Sequence, residues 1–343
     1  MTRAARAACP GALVVALLAL AACRGGDPAN VVQTDTEFHP TTILDAVLVG
    51  NRAAVEQFVA RGANVNATEA DGTTLLMRAI HGSFPEIAKA LIASGADVSA
   101  RNSYGVSPLY LASRSGDLGT VRELLAAGAD ANTALPEGEP VLMTAAKAGN
   151  VGIVRVLLAG VRGSTQFVPA PDGGDASATT GYGSTWIVST AGAENRADPN
   201  SKEGLYGQTA LMWAAAEGHA DVVQALIDAG ADLGTVDEQG SNAVMMAAIG
   251  RGPDLGVIAV LRLLLDGGVD VNAVNWLGDT ALHRATLRGS TAVVQFLVDH
   301  GADVHARDGN GRIPLDIALG VPEEQIPYND ATATLLQRLT QTR

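Results

Sequence analysis

The side chains best suited to nucleophilic or metal chemistry are few: six histidines and two cysteines in 343 residues. His300 and His305 lie close in sequence, but no cysteine and no convergent carboxylates accompany them, so a zinc site would lack ligands. Asp308 to Arg312 reads DGNGR and has the flavour of a calcium loop, yet Arg312 stands where a third oxygen ligand is needed. Asp172 and Asp175 sit among glycines, as in a solvated bend. The chain contains no GxSxG elbow, no HExxH helix, no phosphate-binding glycine loop and no dinucleotide fingerprint. These absences argue against an enzyme, and no metal, cofactor or small-molecule substrate is expected. His283 is read as structural.

The elements around these residues recur at a fixed period. The stretch Gly207 to Asp232, GQTALMWAAAEGHADVVQALIDAGAD, holds two short amphipathic helices separated at Gly218 and closed at Gly230. With Thr209 as marker, equivalents fall at Thr41, Thr74, Ser107, Pro140, Asn242, Thr280 and Ile313, at intervals of 33 residues or of 33 plus an insertion. Glycine stands two residues before each marker from Gly72 to Gly311, where a tight turn calls for positive φ. The inner faces of the second helices are expected to carry Leu226 and Leu263.

In period and in signature the chain resembles the ankyrin-repeat family. The matching stretches are TALHRA from Thr280, SPLYLA from Ser107, IPLDIA from Ile313 and TALMWA from Thr209, with GADV-type ends at Gly95 and Gly301. The resemblance covers roughly residues 40 to 340 and implies an all-α solenoid of about eight helix-turn-helix units with β-hairpin fingers. It also implies that His283, in the signature position, bonds the backbone locally. A composition 47% hydrophobic but only 4% aromatic suits short helices packed through Ala, Leu, Val and Ile.

Residues 1–22 read as a signal peptide: Arg3 and Arg6 precede the short apolar run Gly11 to Ala22, well below the roughly 18 residues needed to span a bilayer. The run ends in Leu20, Ala21, Ala22 and Cys23, which resembles the lipobox of bacterial lipoproteins. That likeness implies lipidation at Cys23 and, with Arg24 following, an outer membrane lipoprotein facing the periplasm. The alternative is cleavage after Ala21, a free thiol at Cys23 and a soluble periplasmic or secreted protein. Residues 23–40 read as a tether, and residues 41–340 as the repeat domain, interrupted by an insert loop at 161–196 in which only Thr185 to Val188 is strand-like.

With 23 Lys and Arg against 36 Asp and Glu, the net charge of −13 disfavours nucleic acid and anionic membrane surfaces. The expected partner is another protein, with membrane attachment through the N-terminal lipid alone. The resemblance implies binding through the concave face of the first helices and the finger tips. Four residues past the markers stand Arg78, Leu111, Thr144, Trp213, Met246 and Arg284, and at the tips Tyr104, Tyr206 and Trp276. The expected partner-binding residues are Trp213, Met246, Tyr206, Trp276, Arg284, Arg78 and Tyr104, because exposed aromatics flanked by arginine make interface hot spots. An alternative function is an accessory or inhibitor subunit that blocks or stabilises an envelope enzyme.

Overall fold

The computed structural model describes residues 40–160, 166–169, 185–188, 195–321 and 325–342. The signal peptide, Cys23, most of the tether and most of the insert therefore lie outside the described residues. From residue 40 onward the described chain is a succession of helix pairs. They are α1 (Ile43–Leu48) with α2 (Arg52–Ala60), α3 (Leu75–His81) with α4 (Pro85–Ala93), α5 (Pro108–Ser115) with α6 (Leu118–Ala126), and α7 (Val141–Lys147) with α8 (Val151–Ala159). After the insert come α9 (Ala210–Glu217) with α10 (Ala220–Asp228), α11 (Ala243–Ile249) with α12 (Asp254–Asp266), α13 (Ala281–Arg288) with α14 (Thr291–Asp299), and α15 (Pro314–Ala318) with α16 (Asp330–Thr342). Odd-numbered helices pack on odd-numbered neighbours and even on even, which makes two layers sharing one core.

Each first helix starts where the marker supplies a cap. Thr74, Ser107, Thr209, Asn242 and Thr280 accept from the backbone N–H three residues on, satisfying a donor the helix leaves open. In the first unit the cap is Thr42, one residue later than the period places it, with Asp45 closing a reciprocal capping box. Leu226 is fully buried, as expected, but Leu263 is only half-buried and Leu264 takes the inner position. The small insertion lies before this stripe: Asp254–Asp266 has 13 residues where the other second helices before α16 have 9, and counted back from Thr280 it is Leu264, not Leu263, that matches Leu226. That insertion is packed onto the end of α9. A Cβ at Gly250, Gly252 or Gly256 would fall within 2.0, 2.4 and 2.5 Å of backbone atoms of Ala216, Glu217 and Gly218. Arg288 holds the loop by donating to the carbonyls of Gly250 (2.7 Å) and Gly252 (2.6 Å) and to Asp254 (2.6 Å).

Where hairpin fingers are expected, the connections are tight turns closed by isolated antiparallel bridges, such as Thr68 with Thr74 and Ala134 with Pro140. With five or six residues between the bridged positions, they are too short to carry a ladder of their own. Their seven glycines from Gly72 to Gly311 all have positive φ, between 68° and 84°. The fingers bond sideways instead. Ser103 N–H donates to the Asp71 carbonyl (2.8 Å), Gly204 to Glu137 (3.2 Å), Glu238 to Tyr206 (2.8 Å), Trp276 to Gln239 (3.1 Å) and Gly309 to Leu277 (2.7 Å). The large insert leaves at Gly160 and is already rejoined to the array at Asn195, whose amide donates to the Ala129 carbonyl (2.6 Å) and accepts from Ala131 N–H (2.9 Å). Within it, β1 (Gln166–Pro169) pairs antiparallel with β2 (Thr185–Val188), so the strand-like stretch has a partner that composition did not reveal.

On the opposite edge, asparagines lock four of the units to the next, and Gly234 in the fifth unit has no side chain to do so. Asn66 donates to the Gly95 carbonyl (3.2 Å) and accepts from Asp97 N–H (2.7 Å); Asn132, Asn200 and Asn272 make the same pair of bonds to the following unit. Ser99 occupies this place in the second unit and is too short to reach. A cavity of about 170 Å³ lined in part by Ser99, Ala129 and Asp130 stands there. The same joint lacks its finger bond, because Pro136 has no N–H to give. Arg101 crosses it instead, donating to the Ala134 carbonyl (2.7 Å) and Thr133 Oγ1 (2.6 Å).

Two stability measurements check this account. Ser99→Asn should raise the stability in thermal melts by about 1 kcal/mol, the net worth of a restored hydrogen-bond pair. Leu226→Ala should cost roughly 2 to 5 kcal/mol, the range for emptying a buried leucine site.

Candidate functional site

The largest concentration of exposed apolar side chains lies along the fingers. Tyr104 is 69% exposed, Tyr206 49% and Trp276 75%. Each is held by the backbone of a rigid turn rather than by its own packing. The finger-opening residue supplies the rigidity: Asn275 and Asp308 are buried, and each accepts from the N–H groups two and four residues on. Trp276 lies across the preceding finger's glycine, so closely that a Cβ at Gly240 would come within 2.7 Å of its ring.

Behind the fingers, Trp213 on α9 and Met246 on α11 occupy matching places on adjacent first helices, both half-buried against the core. Trp213 is less available than its sequence position implies. Its indole N–H is buried with no hydrogen-bond partner, and the Lys147 ammonium lies 4.0 Å from the ring centroid.

The arginines expected in the same row are tied down. Arg78 is held bidentately by the Glu69 carboxylate of the preceding finger, with Nε to Oε1 at 2.6 Å. Arg284 pairs with Asp279 at 3.1 Å, both side chains largely buried. Thr144, in the same place one unit earlier than Trp213, donates to Glu139 (2.8 Å). This position thus serves to brace finger against helix wherever it is polar, and an arginine there is neutralised before any partner arrives. Exposed basic side chains sit three residues further on: His81, Arg114 and Lys147. Sequence reasoning passed over them because only the place four past the marker was read; the place seven past carries the free charge.

The predicted residues do not form one cluster. Arg78 and Tyr104 belong to the second unit and the finger after it, whereas Tyr206, Trp213, Met246, Trp276 and Arg284 spread over the fifth to seventh units and their fingers. Trp276 and Arg284 do meet, on the wall of a cleft of about 480 Å³ together with Leu277, Asp279 and Leu287. Asp308 and Arg312 line its far side, joined at 2.8 Å. Burial pushes the Asp308 carboxyl up, but the N–H groups of Arg312 and Asn310 and the Arg312 guanidinium outweigh it, and its pKa lies below the ordinary carboxylate value.

His283 is fully buried on α13. Its Nδ1 meets the Thr280 N–H (3.2 Å) and its Nε2 lies 3.1 Å from the Arg312 carbonyl of the next finger, so its ring fastens one unit to another. Among the described residues no group of three or more His, Cys, Asp or Glu could hold a metal ion. Nor is any described helix long and apolar enough to cross a membrane.

This succession of capped helix pairs, positive-φ finger glycines and a buried signature histidine agrees with the family comparison. A model of ankyrin repeats matches residues 43–134, 176–275, 232–308 and 254–323, well over half the chain. The chain belongs to the ankyrin-repeat family. It is also similar to the palmitoyltransferase AKR1 of Lachancea kluyveri, with 31% identity over 118 residues. That stretch is 34% of this chain but 16% of the relative, so the ankyrin-repeat chain spans a small part of that protein's length.

A carboxylate held below its ordinary pKa lends stability that is present above the ordinary value and is lost as pH falls through the lowered one. Asp308→Asn should therefore melt lower than the unsubstituted chain at neutral pH, with the gap closing in melts taken below about pH 4.

Proposed function

We propose that this ankyrin-repeat chain is a non-catalytic interaction module of eight units, exported and held at a membrane by lipid on Cys23, that binds another protein through its first helices and finger tips. The supporting observation is the line of aromatics on rigid turns. Tyr104, Tyr206 and Trp276 stand exposed on fingers whose backbones are each bonded to a neighbouring finger, so a partner meets them without the cost of ordering a loop. Large rigid side chains with few rotatable bonds are the usual centres of interface energy. Met246 and the accessible edge of Trp213 extend that surface inward over α9 and α11.

The anchoring part of the reading rests on the N-terminal pattern, a charged start and a short apolar run ending at Cys23. Two or more acyl chains hold a protein at a bilayer where one does so only marginally. The surplus of carboxylates would keep the array itself off an anionic surface.

Tyr206→Ala with Trp276→Ala should abolish capture of the partner from envelope extract while the circular dichroism and melting temperature stay nearly unchanged, since both side chains are mostly in solvent. Normal capture by that double variant would place the contact elsewhere. Cys23→Ser should shift the protein from the membrane to the soluble fraction, and identical fractionation would remove the lipid anchor from the account.

A further inference from the structure

The first-helix layer of the second, third and fourth units carries His81, Arg114 and Lys147, each seven residues past its cap and each exposed. None of the three has an ion pair with a carboxylate among the described residues. Asp and Glu outnumber Lys and Arg in this chain by 36 to 23, and several other cations do find carboxylates. Arg52, Arg78, Lys89, Arg284, Arg288 and Arg312 all have acidic partners. The same place in the following units holds Ala216, Ile249 and Leu287, so the basic side chains form a bounded stripe. Lys147 stands at the boundary, over the ring of Trp213.

We infer that this stripe is a docking track for an acidic segment of the protein partner, a deepening that rests on the interaction-module reading. Neighbouring first helices pack about 8–10 Å apart, and an extended chain advances about 3.3 Å per residue. Carboxylates at every third residue would meet His81, Arg114 and Lys147 in turn, and an apolar side chain about three residues beyond would reach Trp213 and Met246. Local charge sets the sign of the partner: the net charge of the whole chain repels acids, whereas Arg114 and Lys147 attract them locally. Arg114 and Lys147 also lie in the last turns of their helices, where positive charge favours the helix dipole. That contribution concerns stability and predicts nothing about binding, so the two roles separate in one experiment.

The probe is a synthetic peptide with Glu at positions 1, 4 and 7 and Leu at position 10, spaced by Ser and Gly, titrated calorimetrically into the full chain. Controls are the same peptide with Lys for Glu, a composition-matched peptide with three contiguous Glu, and vesicles containing phosphatidylglycerol. The spaced acidic peptide should bind best, weaken with added salt, and lose about tenfold or more in affinity on Arg114→Glu with Lys147→Glu. Thermal melts of that variant establish that it is folded; if it is not, Arg114→Gln with Lys147→Gln provides the same comparison. No binding, equal binding of the lysine peptide, or affinity unchanged by either double variant would overturn the inference. So would vesicle binding through the same two residues, which would assign the stripe to a lipid surface. If the inference fails in any of these ways while capture of the protein partner still depends on Tyr206 and Trp276, the interaction module stands and only the acidic track is lost.

Discussion

Among the described residues, each helix pair packs its apolar face against the neighbouring pairs on either side. Two short helices of six to nine residues cannot hold themselves together in water, where helix formation is marginal below about 12 residues. Nearest-neighbour contact is therefore the condition for every unit's existence. The polar fastenings make the contact specific in register. The fingers bond sideways through their backbones, the asparagines clasp the following unit's turn, and His283 reaches the Arg312 carbonyl across a joint. One joint, around Ser99 and Pro136, lacks two of these devices and leans on Arg101.

The same constraint explains where the sequence could lengthen. A segment that enters and leaves at adjacent points does not disturb the neighbours' contact, and the large insert meets this condition. Gly160 and Arg196 are close enough that a Cβ on Gly160 would touch the arginine, and Asn195 and Asn132 sew the returning chain to the array. The smaller insertion was accommodated differently. It extends α12 and lays three glycines on the backbone end of α9, a fit that needs the absence of side chains and the grip of Arg288.

Much of this fold was legible in the sequence because each repeat states it again. Period, caps and finger glycines follow from local chemistry: a threonine before a helix, a glycine where φ must be positive. What the sequence could not show is which partner a side chain finds across a joint. Arg78 and Arg284 looked free because their carboxylates, Glu69 and Asp279, belong to the preceding fingers, and only the packed structure brings finger and helix together. Trp213 looked exposed because position alone does not tell whether a ring lies over its neighbours. Leu263 was misplaced by one residue: counted back from Thr280 the equivalent of Leu226 is Leu264, and the insertion ahead of the stripe hides that match when the count runs forward from Asn242. The strand pair in the insert is a long-range pairing between two unremarkable segments, of the kind that local patterns do not encode.

The functional picture follows from what the joints leave over. Side chains spent on bracing are unavailable for recognition, and once they are set aside the accessible chemistry narrows to finger aromatics and a short cationic stripe on one layer. Hydrogen–deuterium exchange of the full chain with and without its captured partner tests this most directly. The account predicts added protection in the fingers at residues 203–207 and 275–278 and in the last turns of α3, α5 and α7. Protection confined to the second-helix layer of α8, α10 and α12, with the fingers unchanged, would contradict it.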